Sequence, residues 1–184
     1  MSGKERICAG ITRTAGGYFF LYFDLTIGAV DLLPAFVGML FFLSAIDLMK
    51  EQRRDLELLR PFAVVLTAWY FVDWAAAWIG KSPGEILPMA ELLVSLAGMY
   101  FHFQLLTDLA AVARMYDTQD PPAEEKILRW RTLQTVMLTG ILIVSCLLDW
   151  LHVERPELVI LLSVIYLIAG ICIMRVLFVL RSRI

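Results

Sequence analysis

Residues 157–181 read ELVILLSVIYLIAGICIMRVLFVLR, and between Leu158 and Met174 no residue carries a charge. An α-helix rises about 1.5 Å per residue, so a run of this length crosses a hydrocarbon core about 30 Å thick. Comparable apolar runs recur along the chain of 184 residues, which is 60% hydrophobic and 18% charged with a mean hydropathy of +0.74. Soluble domains sit near 45–50% apolar and about 25% charged. Because a small domain keeps much of its area as surface, an excess of this size has no core large enough to hide in. The chain reads as an all-α, polytopic integral membrane protein.

Outward from this run, punctuation residues delimit the other helices. Six spans are expected, at about 14–31, 34–50, 61–80, 88–113, 130–151 and 157–181, as one transmembrane domain over 1–184. Pro34, Pro61 and Pro88 stand where helices begin, a position proline tolerates because its missing N–H has no intrahelical partner there. Gly80 and the stretch KSPGEILP (81–88) break the third helix from the fourth, DTQDPP (117–122) the fourth from the fifth, and HVERPE (152–157) the fifth from the sixth. Asp120 is expected to cap the fifth, with Glu124 and Glu125 near its positive end.

The loops are asymmetric in charge. Segments 1–13, 50–60, 114–131 and 175–184 hold 14 of the 16 Lys and Arg, and the two opposite turns hold only Lys81 and Arg155. Basic residues stay on the cytoplasmic side, so both termini are expected inside a plasma or bacterial-type inner membrane. The spans then pair as a compact bundle of three outside hairpins. Each hairpin has an aspartate in its outgoing arm (Asp31, Asp73, Asp149) and a proline near the start of its returning arm (Pro34, Pro88, Pro156), although the spacing differs in each.

Several classes of function are excluded by the sequence. No P-loop, Gly-rich dinucleotide fingerprint or local signature of a Ser-His-Asp set occurs. Cys8, Cys146 and Cys172 are widely spaced and only two histidines are present, so neither a metal site nor a cofactor is expected. No basic patch interleaved with aromatics points to nucleic acid. The apolar stretch after the basic N-terminus runs on without a small-residue cleavage site, as an uncleaved first helix does.

What remains is polar chemistry inside the bundle, where ionisable residues are costly and mark candidate sites. Asp24 and Asp31 are seven apart and would share a face of the first helix, with Asp24 near mid-span. Asp73, in FVDWAAAWIG (71–80), and Asp149 each precede a tryptophan, a residue that favours the membrane interface. In the fourth helix Glu91, Ser95, Gly98 and His102 follow i, i+4, i+7 and i+11, a continuous stripe on one face. Glu91 also suits the positive end of its helix. Asp47, Asp108 and Arg175 fall at similar depth and are expected to form a structural charge cluster.

In size and six-span layout the chain is similar to the substrate-binding component of energy-coupling-factor vitamin transporters, a likeness of architecture with no motif behind it. That family docks through small residues on its first helix, where this chain has the bulky stretch GYFFLYFDLTIGA (17–29).

The residues lead to an expected function: binding or transport of a small polar solute or cation within the bundle. The site is expected between the first, third and fourth spans, lined by Asp24, Asp31, Asp73, His102, Glu91 and Asp149, with Tyr22, Trp69 and Tyr100 as walls. Expected partners are the lipid bilayer, a small-molecule or cation ligand and another membrane protein. The alternative is a non-catalytic subunit whose buried charges are assembly contacts and whose stretch EQRRDLELLR (51–60) is a docking surface.

Overall fold

The structure, a computed structural model, describes residues 2–23, 26–27, 30–31, 33–80, 83–117, 122–151 and 156–184. Helix α1 covers Gly3–Tyr22. Ser2 and Glu5 close a capping box at its start, each side chain satisfying the other's backbone N–H, which is why the helix begins eleven residues before the expected span. Its buried residues Ile7, Ile11, Thr14, Tyr18 and Tyr22 recur every three or four positions and form one inward stripe. The helix does not continue to residue 31. Thr26–Ile27 (β1) pairs antiparallel with Val30–Asp31 (β2), with Thr26 opposite Asp31. The β-branched side chains of Thr26, Ile27 and Val30 favour extended backbone over helix.

Helix α2 spans Ala35–Met49 and the 3₁₀ segment η1 spans Arg54–Leu59. Then follow α3 (Arg60–Ala77), the single turn α4 (Pro83–Ile86), α5 (Pro88–Tyr116), α6 (Ala123–Leu151) and α7 (Pro156–Arg183). Pro61 and Pro88 occupy first-turn positions, and Gly80 beyond α3 takes φ +67°, a left-handed conformation that glycine adopts without strain. Asp117 accepts from the backbone N–H of Ala123 at 2.8 Å and so satisfies the start of α6; Asp120, expected in that role, lies outside the described residues.

The long helices form a ring in chain order, α1–α2–α3–α5–α6–α7, which closes where α7 packs on α1. Within it α1 runs antiparallel to α7, since Cys8 lies beside the backbone of Arg181 and Tyr22 beside Gly170. Both termini therefore lie at one end of the bundle. That end is closed and well packed, with Ile11, Met49, Leu56, Leu109 and Leu180 almost fully buried. Arg6–Glu51 and Arg183–Asp117 (3.0 Å) tie its segments together. Toward the opposite end burial falls away, and among the described residues the outer half of α6 has no buried side chain.

Among the described residues four helical segments are long and apolar enough to cross a membrane: 54–77, 88–116, 123–148 and 160–183. Their outward faces carry exposed apolar side chains such as Val65, Val72, Val136, Ile143, Ile160 and Ile168, the reverse of a soluble bundle. Length and composition thus support four of the six expected spans among the described residues. α2 is apolar but only 15 residues long, and α1 carries Lys4, Glu5, Arg6 and Arg13.

Glycines bring the backbones of α1 and α2 close together. A Cβ on Gly38 would stand 2.8 Å from the carbonyl oxygen of Gly17, and one on Gly17 would meet the Phe42 ring at 2.7 Å. Backbones approach this closely only where side chains are absent. Gly140 of α6 has nothing within 4 Å of such a Cβ. Gly17→Ala and Gly38→Ala are therefore expected to destabilise the protein by about 1–3 kcal/mol. Gly140→Ala is expected to be neutral or to stabilise by up to about 1 kcal/mol through helix propensity. Reversible unfolding in detergent micelles measures all three, and equal effects would refute the close crossing.

Candidate functional site

Where the ring loosens it encloses a cavity of about 590 Å³ between α5, the outer half of α6, and side chains from α3, α7 and α1. One wall is the α5 stripe, and Glu91, Ser95, Gly98 and His102 all line it. Helical spacing alone puts these four on one face, and the ring turns that face inward. Leu138, Ile141 and Leu142 of α6 form the facing apolar wall, followed by Ser145 and Cys146.

His102 lies at the deep end, 5% exposed. Its ring is held by Tyr18, Phe42 and Phe101, with centroid separations of 5.5, 5.6 and 5.2 Å. Its Nδ1 is buried and has no hydrogen-bond partner among the described residues. Buried polar atoms in proteins are nearly always paired, because an unpaired one forfeits its hydration without replacement. Gly98 leaves room for Tyr70 of α3, whose hydroxyl comes within 3.9 Å of where a Gly98 side chain would begin. Near the shallow end Glu91 is exposed, and its carboxylate occupies the space that a side chain on Gly84 of α4 would fill.

Behind the cavity lies a second polar group of residues. Tyr18 stacks on Tyr22 at 5.8 Å, and Tyr22 packs on Tyr166 at 4.5 Å. Tyr22 fits only because Gly170 has no side chain, since a Cβ there would enter the ring. The Tyr18 and Tyr22 hydroxyls are buried beside the side-chain amide of Gln134, and Tyr22 also meets the Tyr166 hydroxyl. A cluster of mutually engaged polar groups thus stands behind the cavity wall. Sequence reading passed over Tyr18, Tyr70, Gln134 and Tyr166; the signal available was Gln134, an amide within the apolar α6, and the i, i+4 pair of tyrosines in α1.

The arrangement can donate and accept hydrogen bonds along one wall, offer a carboxylate near the surface and enclose an apolar body. It does not build a nucleophile–base pair from Ser95 and His102, because seven residues of helix separate them by about 10 Å. Among the described residues no group of three His, Cys, Asp or Glu is placed to hold a metal ion.

The other expected site residues lie elsewhere. Asp73 is exposed on α3, where Trp74 turns instead toward Phe36 of α2 at 5.4 Å. Asp24 lies outside the described residues, as do the side chains of Asp31 and Asp149. Asp31 is in β2, so it cannot share a helical face with Asp24. Tyr100 packs on Phe62 at 5.0 Å and is half exposed on the outer surface; neither it nor Trp69 lines the cavity. The expected charge cluster does not assemble. Asp47 pairs with Lys50 at 3.1 Å, Arg175 is exposed on α7, and Asp108 receives Arg53 Nε at 3.3 Å and Gln104 Nε2 at 3.2 Å. Spacing set their depth, but the ring order put them on different seams.

No protein-family model, curated protein or solved structure matches the chain.

Asp108 is fully buried, while the side chain of its partner Arg53 is 31% exposed. Removing the arginine leaves a buried carboxylate with only Gln104, so Arg53→Ala is expected to destabilise by about 3 kcal/mol. Adding Asp108→Asn to Arg53→Ala should restore part of that loss. Denaturant titrations of the single and double variants measure the coupling, and simple additivity would show that the pair does not matter to stability.

Proposed function

We propose that this protein binds a small polar or cationic solute inside its helix bundle and takes part in moving it across the membrane. The observation that carries the reading is His102, a nearly buried imidazole with an unpartnered Nδ1 at the deep end of a cavity of about 590 Å³. Ligand sites are commonly this size, mostly apolar, and furnished with a few polar groups that fix orientation. In this reading the solute lies along the α5 stripe. Its charged or hydrogen-bond-donating end meets Glu91, and its deep end meets Tyr70 and His102.

The same proposal includes six crossings with both termini in the cytoplasm. α1 lies along α7 from Cys8 beside Arg181 to Tyr22 beside Gly170, which supports a shared depth in the membrane. The closed end bears most of the basic residues, and the positive-inside rule assigns that end to the cytoplasm. The shallow, Glu91 end of the cavity then faces outward, as a binding protein for an external solute requires.

Native mass spectrometry of protein purified gently from its own membranes tests the site. A stoichiometric small molecule is expected on the parent chain. One buried hydrogen bond contributes about 1–3 kcal/mol, so His102→Phe should weaken retention roughly 5- to 100-fold. Gly98→Leu should abolish retention by filling the cavity, and Asp73→Asn should leave it unchanged. A molecule retained equally by all four proteins, or by none, would sink the reading. Single cysteines placed at Ser2 and Lys81 of a cysteine-free chain test the topology. A membrane-impermeant maleimide on intact cells should label only position 81.

A further inference from the structure

The closed end of the bundle carries a second feature that solute binding does not use. Between the start of α6 and the end of α7 is a cavity of about 270 Å³ onto which Lys126, Arg175 and Arg183 converge, with Trp130 as a wall. On the other side of α7, against α1, runs an apolar groove of about 620 Å³ lined by Phe19, Phe23, Ile171, Met174 and Phe178. Arg175 and Val179 line both. Among the described residues no carboxylate lines either space. Arg183 already holds Asp117 at 3.0 Å, whereas Lys126 and Arg175 have no ion-pair partner among the described residues.

We infer that this pair of cavities is a binding site for one anionic phospholipid, its phosphate held among Lys126, Arg175 and Arg183 and an acyl chain laid across Val179 into the Phe19–Phe178 groove. Three observations meet here. The first is charge: three cations around one small space, two of them unpaired, complement a phosphodiester, and basic pockets between membrane helices select anionic headgroups. The second is depth. Lys126 is in the first turn of α6 and Arg183 in the last turn of α7, at the bundle end, where headgroups lie. From Ser182 up to Ile171 the groove rises about 16 Å, close to the half-thickness of about 15 Å that one leaflet's chains occupy. The third is the wall: Trp130 provides the amphipathic ring that interfaces favour. Free inorganic phosphate would use the cations but not the groove.

The test uses the full-length protein in neutral detergent, offered equimolar phosphatidylglycerol and phosphatidylcholine and read by native mass spectrometry. A basic residue near anionic lipid is worth about five-fold in affinity, so Lys126 and Arg175 together predict roughly 25-fold preference for phosphatidylglycerol. Lys126→Gln/Arg175→Gln should bring that preference close to one, and Lys126→Arg/Arg175→Lys should keep it. Val179→Trp, which leaves all three cations in place and obstructs the seam, should release the lipid. Retention of both lipids alike by the parent chain, or an undiminished preference in the Gln double variant, overturns the site. Displacement of phosphatidylglycerol by millimolar inorganic phosphate would reduce it to a bare anion site and also overturn the proposal. Arg175 is exposed and Lys126 half-buried, so these variants are expected to fold, and unchanged unfolding midpoints check that.

Discussion

The contact between the backbones of Gly17 and Gly38 sets how near α1 and α2 can come, and the rest of the interior is registered to it. With the two helices this close, Tyr18 of α1 and Phe42 of α2 meet edge to face at 5.1 Å and together cover the ring of His102 on α5. In an apolar setting no hydrophobic force draws helices together, so such close packing is the main term that favours association. A side chain at either glycine would push against carbonyl oxygen, which cannot rotate away as a rotamer can. Tyr22 and Gly170 repeat the device where α1 meets α7, and so close the ring.

The two ends of the bundle solve different problems. At the end bearing the termini, helix starts and stops expose backbone groups and charged side chains, and these satisfy one another. Ser2 and Glu5 cap α1, Asp117 caps α6 and holds Arg183, and Arg53 accompanies the buried Asp108. Toward the other end burial decreases, and bulky inward residues give way to Gly98, Ser95 and the exposed Glu91 around the cavity. The result is a bundle closed at one end and hollow toward the other, in which Tyr18, Tyr22 and Gln134 engage one another while His102 Nδ1 has no hydrogen-bond partner among the described residues. An apolar filling would be more stable there; buried unpaired polar atoms oppose folding unless something else engages them.

Much of this was legible before any coordinates. Helix starts at Pro61 and Pro88 follow from the fixed φ and missing N–H of proline, and they lie where expected. The stripe Glu91, Ser95, Gly98, His102 needed only the 3.6-residue period, and all four positions line one cavity. The first helix was misread because hydropathy alone extended it through DLTIGAVD (24–31), past the point where β-branched residues favour strand, and because the capping box at Ser2 and Glu5 was overlooked. Asp73 was misjudged for a different reason: a helical residue's period tells which neighbours share its face, not whether that face meets another helix.

The amino-acid sequence by itself determined that this is an all-α chain with helices long and apolar enough for a membrane, that its charges gather at segment ends, and which residues of α5 stand in line. Those are consequences of transfer free energy and of the helical repeat, both of which act on neighbours along the chain. Only the tertiary structure decided that the helices close into a ring and that the α5 stripe faces Leu138, Ile141 and Tyr166. It also decided that Asp108 belongs with Arg53 rather than Arg175. Such pairings join residues far apart in the chain, as Arg53 with Asp108 and Tyr22 with Gly170 show, and they depend on which small residues let two backbones approach. Local pattern carries no record of that.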